Sequence, residues 1–313
     1  MEPQSEIDTA EFAQDAGAAT TEQPHPFSSL VRVDFGAISD VGKVRANNED
    51  HFRIARTSRT MRTLMSNLPS GQVPDYFEDV AYGMIVADGM GGEAAGEIAS
   101  MMAITIGVNL RLNAVKWNLK INEQEARDLM DRACGMIHQI DEALAQRARS
   151  DPALQRMGTT LTTTYSVGDD LFLFHVGDSR VYLYRGDRLL QLTHDHTVAQ
   201  ALVDAGHIAA EEVASHRMRH CLTNVMGSQT NQLHVEMLQL RLLDRDRILL
   251  CTDGLTEMTR EDEILELLRR IEDSGEACRA LVDLALQHGG KDNVTVLIAR
   301  YHIPEHVDTE TSC

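Results

Sequence analysis

Apolar and polar positions along the chain change period in blocks, and the blocks predict strands alternating with helices. Residues 31–39 and 80–87 read as strands, the second almost wholly apolar. From Ala94 the pattern turns helical. Over 123–148 a three-and-four spacing puts Ala126, Leu129, Ala133, Ile137, Ile140 and Leu144 on one face, the stripe of a helix packed on a core. Three strand-like stretches follow at 159–167, 171–176 and 181–184, joined by turns at Gly168-Asp169-Asp170 and Gly177-Asp178-Ser179-Arg180. A helical piece at 197–205 precedes strands at 234–240 and 247–252, helices at 261–271 and 276–288, and a last strand at 294–301. Strands outnumber helices, and the helices come in pairs rather than singly after each strand. That order favours an α+β layered fold with antiparallel sheets over a doubly wound parallel one.

The ends break the pattern. Residues 1–27 carry six acids (Glu2, Glu6, Asp8, Glu11, Asp15, Glu22) and no Lys or Arg, which predicts a loose, disordered acidic tail. Residues 304–313 read as a second flexible tail, leaving 28–303 as one domain, long enough to bury a continuous core. Lys and Arg number 29 against 48 Asp and Glu, a net charge of −19 that argues against nucleic acid as a partner. No apolar run approaches the roughly 18 residues of a membrane span, and the start, MEPQSEIDTAEF, lacks the order of a signal peptide. Cys134, Cys221, Cys251, Cys278 and Cys313 are scattered with no CxxC pair, so reduced thiols and a cytoplasmic location are expected.

The chemistry concentrates in acids beside glycine at strand ends: Asp88-Gly89, Gly177-Asp178, Asp253-Gly254, and Asp292-Asn293 after Gly289-Gly290, with Asn48-Glu49-Asp50 adding more. Each stands where an apolar strand gives way to a turn, so all can converge on one rim of a sheet. Clustered carboxylates repel one another unless a cation sits among them. All-oxygen ligation suits magnesium, manganese or calcium rather than zinc or copper. Asp-Gly is also an ordinary turn dipeptide, so spacing by itself leaves both readings open.

The segment Gly42-Lys43-Val44-Arg45-Ala46-Asn47-Asn48-Glu49-Asp50 closely resembles the first signature of the metal-dependent, type 2C protein serine/threonine phosphatases. Val86-Ala87-Asp88-Gly89-Met90-Gly91-Gly92 with Gly96-Glu97-Ile98-Ala99-Ser100 resembles the second. Met157-Gly158-Thr159-Thr160, Val176-Gly177-Asp178-Ser179-Arg180, Thr252-Asp253-Gly254-Leu255 and Lys291-Asp292-Asn293-Val294-Thr295 resemble the remaining ones, in the family's order, over roughly residues 30 to 302. The resemblance implies a central antiparallel β-sandwich flanked by pairs of helices, four layers in αββα order, with a binuclear Mn2+ or Mg2+ site at one end. Asp88 would bridge both ions, the Gly89 carbonyl would help hold one, and Asp253 and Asp292 would complete the other. Glu49 and Asp50 would bind metal directly or through ordered waters, Asp178 would hold a third, weaker ion, and Asn293 would support the set. Arg45 would present its planar fork to phosphate oxygens. The implied reaction is hydrolysis of phosphoserine and phosphothreonine by direct attack of a metal-bridging hydroxide, with Asp88 and Arg45 as its central residues. The implied partners are phosphorylated proteins and an opposing serine/threonine kinase, and the expected state is a monomer. The competing reading is a catalytically inactive domain of the same kind that binds a phosphoprotein or effector; the presence of Asp50, Asp88, Asp253 and Asp292 speaks for the enzyme.

Some family members carry His where this chain has Met90, and that His is proposed as the proton donor to the leaving alkoxide. Met cannot donate a proton, so the general acid here is water, a metal-bound water or another residue. The Met form resembles the bacterial signalling branch. A second departure is the long stretch 57–79, with Arg56, Arg59 and Arg62 in or beside it, which reads as a surface loop, the alternative being an edge of the site that meets a phosphoprotein. Residues 194–228 correspond to the family's mobile flap. His194-Asp195-His196 there reads as a turn into a helix rather than a zinc site, and His207, His216, Arg217, Arg219 and His220 read as solvated loop positions, the alternative being contact with substrate. Gly89 to Ala94 fits GxGxxA, but the helical pattern runs through Leu112, with Asn109 and Leu110 where a dinucleotide site needs an acid. Gly177-Asp178-Ser179-Arg180 lacks the small residue of a serine hydrolase elbow, and no GxxxxGK[ST] loop is present, which excludes a P-loop kinase or ATPase.

Overall fold

Two antiparallel sheets lie face to face, each covered on its outer side by a pair of helices. The structure, a computed structural model, describes residues 27–92, 94–114, 121–228 and 233–304. Apart from Phe27 and Pro304, the expected tails 1–27 and 304–313 lie outside the described residues. The strands are β1 (Arg32–Asp40), β2 (Asp50–Arg62), β3 (Tyr76–Met90), β4 (Gly158–Thr159), β5 (Leu161–Val167), β6 (Asp170–Val176), β7 (Arg180–Arg185), β8 (Arg188–Gln191), β9 (Glu236–Arg241), β10 (Arg247–Cys251) and β11 (Val294–His302). The helices are α1 (Phe27–Leu30), α2 (Ala94–Leu112), α3 (Glu123–Ser150), α4 (Val198–Asp204), α5 (Asp253–Thr256), α6 (Glu261–Arg270) and α7 (Ser274–Gln287). One sheet has the order β1-β11-β10-β7-β8; the other has β2-β3-β5-β6-β9, with β4 pairing to β3.

Double coverage explains why several strands are apolar at every position. Successive strand side chains point to opposite faces. In β11, Val294, Val296 and Ile298 pack under α6 and α7, while Leu297, Ala299 and Tyr301 enter the layer between the sheets. In β6, Phe172, Phe174 and Val176 meet α2 and α3, while Leu171 and Leu173 face the other sheet. The α3 stripe behaves as its spacing predicts: Ala126, Leu129, Ile137, Ile140 and Leu144 are buried in the same cluster, with Ala133 partly so. Helix starts are fixed locally, with Asn122 Oδ1 accepting from Glu125 N at 2.8 Å and Asp273 Oδ1 accepting from Glu276 N at 2.8 Å.

The stretch 57–79 is not the surface loop the sequence suggests. Its two ends are strand, and β2 pairs with β3 from Asp50↔Asp88 out to Arg62↔Tyr76. Because β5 covers β3 only over 81–86, residues 58–62 and 76–80 form a two-stranded arm beyond the sheet. Arg56 bonds Glu78 at 2.7 Å and Arg59 pairs with Asp79, so these arginines tie the arm together. The twelve steps from Asp50 to Arg62 carry the tip about 40 Å away at ~3.3 Å per residue, so the loop does not edge the acidic rim. Two smaller differences concern β8, which the pattern did not suggest, and 159–167, which breaks at Thr160. There the Thr160 N–H donates to the Asp88 carbonyl at 2.9 Å and its hydroxyl accepts from Asp88 N at 3.0 Å.

Candidate active site

The strand ends that carry acids do meet, at one mouth of the sandwich. A cavity of about 550 Å³ is lined by Glu49, Asp88, Asp178, Asp253 and Asp292 together with Arg45, Met90, Thr160, His220, Glu257, Lys291 and Asn293. Asp50 and Asp88 sit opposite one another where β2 and β3 begin and end their pairing. Asp178 follows β6, Asp253 opens α5 after β10, and Asp292 precedes β11.

The glycines after Asp88 and Asp253 show why Asp-Gly recurs. Neither has the positive φ of a turn glycine. A Cβ on Gly89 would lie 2.1 Å from the Gly96 carbonyl oxygen, and one on Gly254 would lie 2.0 Å from that of Asn293. Both are points of close backbone approach. The first seats α2 against the end of β3; the second seats α5 against the Asp292-Asn293 corner. The turn reading fails at these two positions, because glycine serves to bring neighbouring elements within reach of the carboxylate beside it.

Asn293 ties the Arg45–Glu49 loop to the same corner. Its Oδ1 accepts from Glu49 N at 2.8 Å, and its Nδ2 donates to the carbonyls of Val41 and Asn47, both at 2.9 Å. Arg45 lines the cavity with its side chain 54% exposed, and its Nη2 lies 2.6 Å from Asp292 Oδ2. Asp50 lies beneath the floor rather than on the wall: it is 5% exposed, and its Oδ2 accepts from Thr252 and Thr295 hydroxyls at 2.8 and 2.7 Å.

The electrostatics of this mouth are unfavourable as the chain stands alone. Burial pushes the Asp50 carboxyl up to about 7, against the pull of the Thr295 and Thr252 hydroxyls. Burial and then Asp195 push Asp178 up to about 7 as well. Asp88 and Asp253 are held well above the usual carboxylate range, first by burial and then by neighbouring acids. Two oxygens, Asp50 Oδ1 and Asp253 Oδ1, are buried with no hydrogen-bond partner. Orphaned anionic oxygens at the foot of an acid-walled cavity fit cation binding, and the all-oxygen donor set suits Mg2+ or Mn2+.

The flap segment is partly as expected. In His194-Asp195-His196, His194 Nε2 pairs with Asp204 at 2.7 Å and Asp195 binds Arg180 at 2.6 Å, so the triplet is spread over separate partners. His196 lies near His175 and Glu236, a grouping that local spacing could not show. Its Nδ1, however, accepts from Gly177 N at 3.1 Å. The ring proton must then sit on Nε2, which leaves no lone pair for a metal there. His220 is exposed on a turn, as expected, and it also lines the cavity and pairs with Glu257. Thr160, Thr252 and Thr295 lie in the quoted motifs, which give them no role, and His220 is named there only among flap residues able to touch substrate. Glu257 is the member of this neighbourhood that sequence reading missed, because nothing local marks it.

The sequence model described as Protein phosphatase 2C matches residues 75–287. This chain belongs to the protein phosphatase 2C family. Within that family it is similar to the Mycobacterium tuberculosis serine/threonine protein phosphatase PstP, 36% identical over 266 residues covering 85% of this chain and 44% of that protein. The chain thus spans less than half the length of that relative. It is 33% identical over 260 residues to the serine/threonine phosphatase stp of Listeria monocytogenes, covering 83% of this chain and 92% of that one. Among solved protein phosphatase 2C structures, the catalytic domain of PstP in complex with two manganese ions matches with a TM-score of 0.68 at 32% identity, over 87% of this chain and 99% of that one. The sandwich with paired flanking helices is therefore the fold of a protein phosphatase 2C domain.

Proposed function

We propose that this chain is a metal-dependent phosphoprotein phosphatase that hydrolyses phosphoserine and phosphothreonine without a covalent phosphoenzyme. The observation that best supports the reading is the acid-walled cavity with two orphaned carboxylate oxygens and an arginine at its rim. In this reading Asp88, the Gly89 carbonyl, Asp253 and Asp292 would hold two ions. Glu49 and Asp50 would contribute directly or through waters, and Asp178 would hold a third, weaker ion. When bound, a pair of Mn2+ or Mg2+ ions supplies an acidified water and offsets charge on the phosphoryl group.

The chain's own groups do the rest. Arg45 offers its fork to the phosphate, sharing with it the guanidinium now bonded to Asp292. Asn293 fixes the loop carrying Arg45 and Glu49, and the Thr252 and Thr295 hydroxyls hold Asp50 in one orientation. Phosphorylated proteins are then the substrates and a serine/threonine kinase the opposing enzyme. A cytoplasmic location agrees with this reading, since Cys134, Cys221, Cys251 and Cys278 are free thiols, and a monomer is the expected state. Among the described residues no helix is long and apolar enough to cross a membrane. Residues 28–303 act as the catalytic unit.

The test is phosphate release from a phosphothreonine peptide with and without Mn2+. Release that requires the ion, and falls by about 10²-fold or more in Asp253→Asn with the fold intact, is the expected result. Release without any divalent ion, or retained by that variant with metal bound, overturns the site. No release by the wild-type chain in Mn2+ would favour the binding-module reading instead.

A further inference from the structure

Expelling a serine or threonine side chain from phosphorus releases an alkoxide, a very poor leaving group unless a proton reaches its oxygen as the bond breaks. The cavity wall contains few groups able to deliver one. Met90 has no acidic proton, and the Thr160 hydroxyl is engaged with Asp88 N and Ser179 Oγ. Arg45 is bonded to Asp292 and, like Lys291, is too weak an acid near neutral pH. The acids Glu49, Asp88, Asp178, Asp253 and Asp292 are those already assigned to cations. His220 and its partner Glu257 remain, and of the two an imidazolium is the side-chain acid suited to neutral conditions.

His220 is also held for such a role. It comes from the segment between α4 and β9 and lines the cavity that Arg45 and Asp88 line. Its Nδ1 pairs with the carboxylate of Glu257, the residue that closes α5. His220, Asp253 and Glu257 bring ligand-type atoms within 4.8 Å of one another, so the ring is anchored beside the acid cluster. With Nδ1 engaged by a carboxylate, the ring's orientation and tautomer are set, and Nε2 is the nitrogen left to act. The side chain is 43% exposed and so reachable by a substrate entering the cavity.

Resting on the phosphatase reading above, we propose that His220 donates the proton to the leaving alkoxide oxygen, with Glu257 as its positioning residue. The phosphorus–oxygen bond breaks with its electron pair passing to the serine or threonine oxygen. The proton on Nε2 moves to that oxygen, and the product leaves as a neutral hydroxyl. Phosphorus retains the oxygen delivered by water and departs as inorganic phosphate, while the neutral imidazole regains a proton from solvent.

The test compares His220→Gln with the wild-type chain in Mn2+ on two substrates, a phosphothreonine peptide and p-nitrophenyl phosphate, whose phenolate leaves without needing a proton. Turnover of the peptide should fall by about 10²-fold or more, and that of the aryl ester by only about threefold. Across a series of aryl phosphates, the variant should also depend more steeply on leaving-group basicity. Glu257→Gln should show the same pattern at smaller size. Equal losses on both substrates, or an unchanged rate on the peptide, would overturn the assignment. A wild-type chain that hydrolyses neither substrate would overturn the phosphatase reading itself, a distinct outcome.

Discussion

Replacing Asn293 by Ala should weaken both the fold and the grip on metal, and the structure sets the size of each effect. The side chain is 6% exposed and makes three hydrogen bonds, from Glu49 N and to the carbonyls of Val41 and Asn47. Three such bonds at about 1 kcal/mol each set a ceiling near ~3 kcal/mol. Val41 and Asn47 are exposed, so water can re-satisfy their carbonyls, whereas the half-buried Glu49 N–H is harder to reach. The expected loss is about 2 kcal/mol, read as a lower urea midpoint with the slope unchanged. Because the freed loop carries Glu49 and Arg45, the Mn2+ concentration for half-maximal phosphate release should rise by about 10-fold, the scale of outer-shell losses at metal sites. Asn293→Asp keeps an acceptor for Glu49 N–H but turns two donors into an anion beside Asp292, so it should be at least as damaging. Wild-type unfolding and wild-type Mn2+ dependence in Asn293→Ala would refute the reasoning.

Three further outcomes follow from single contacts. Arg45→Ala should cost roughly 1.5–3 kcal/mol of transition-state binding, or roughly 10–150-fold in kcat/KM; unchanged steady-state kinetics would remove Arg45 from the phosphate. Gly89→Ala drives a methyl to 2.1 Å from the Gly96 carbonyl and should destabilise the fold by about 1–3 kcal/mol or more, visible as a lower melting temperature. His175 is fully buried, its Nδ1 2.8 Å from Thr162 Oγ1 and its Nε2 unpartnered, and burial pushes the ring down to about 3. The unfolded ring protonates near 6.5, so between these values the unfolded chain binds the extra proton and acid erodes stability. By pH 5 the loss relative to pH 7.5 should be about 2 kcal/mol larger in the wild type than in His175→Gln, measured by urea unfolding without metal; equal losses would contradict the burial.

The fold was legible where burial is two-sided and periodicity strong. The apolar runs of β6, β10 and β11 and the stripe of α3 could be read directly, since each records what covers it. The arm of β2 was not legible, because Ser58–Arg62 pair only with β3 and carry charges that satisfy one another across strands, Arg59 with Asp79 among them. Nothing there alternates between a core and solvent. In the site, the aspartates were visible because each ends an apolar strand. The pairing of His220 with Glu257 was invisible, since 37 residues and a change of layer separate them. Asp50 was legible as an acid but not as one lying under the floor, a distinction set by the Thr252 and Thr295 hydroxyls from the other sheet.

The most direct measurement is anomalous scattering at the manganese edge from crystals of this chain soaked in Mn2+. The account predicts two peaks within about 2.0–2.6 Å of carboxylate oxygens, with Asp88 near both and Asp253 and Asp292 near one. Crystals in abundant Mn2+ that show no peak in the acid-walled cavity, with those side chains turned apart, would contradict it.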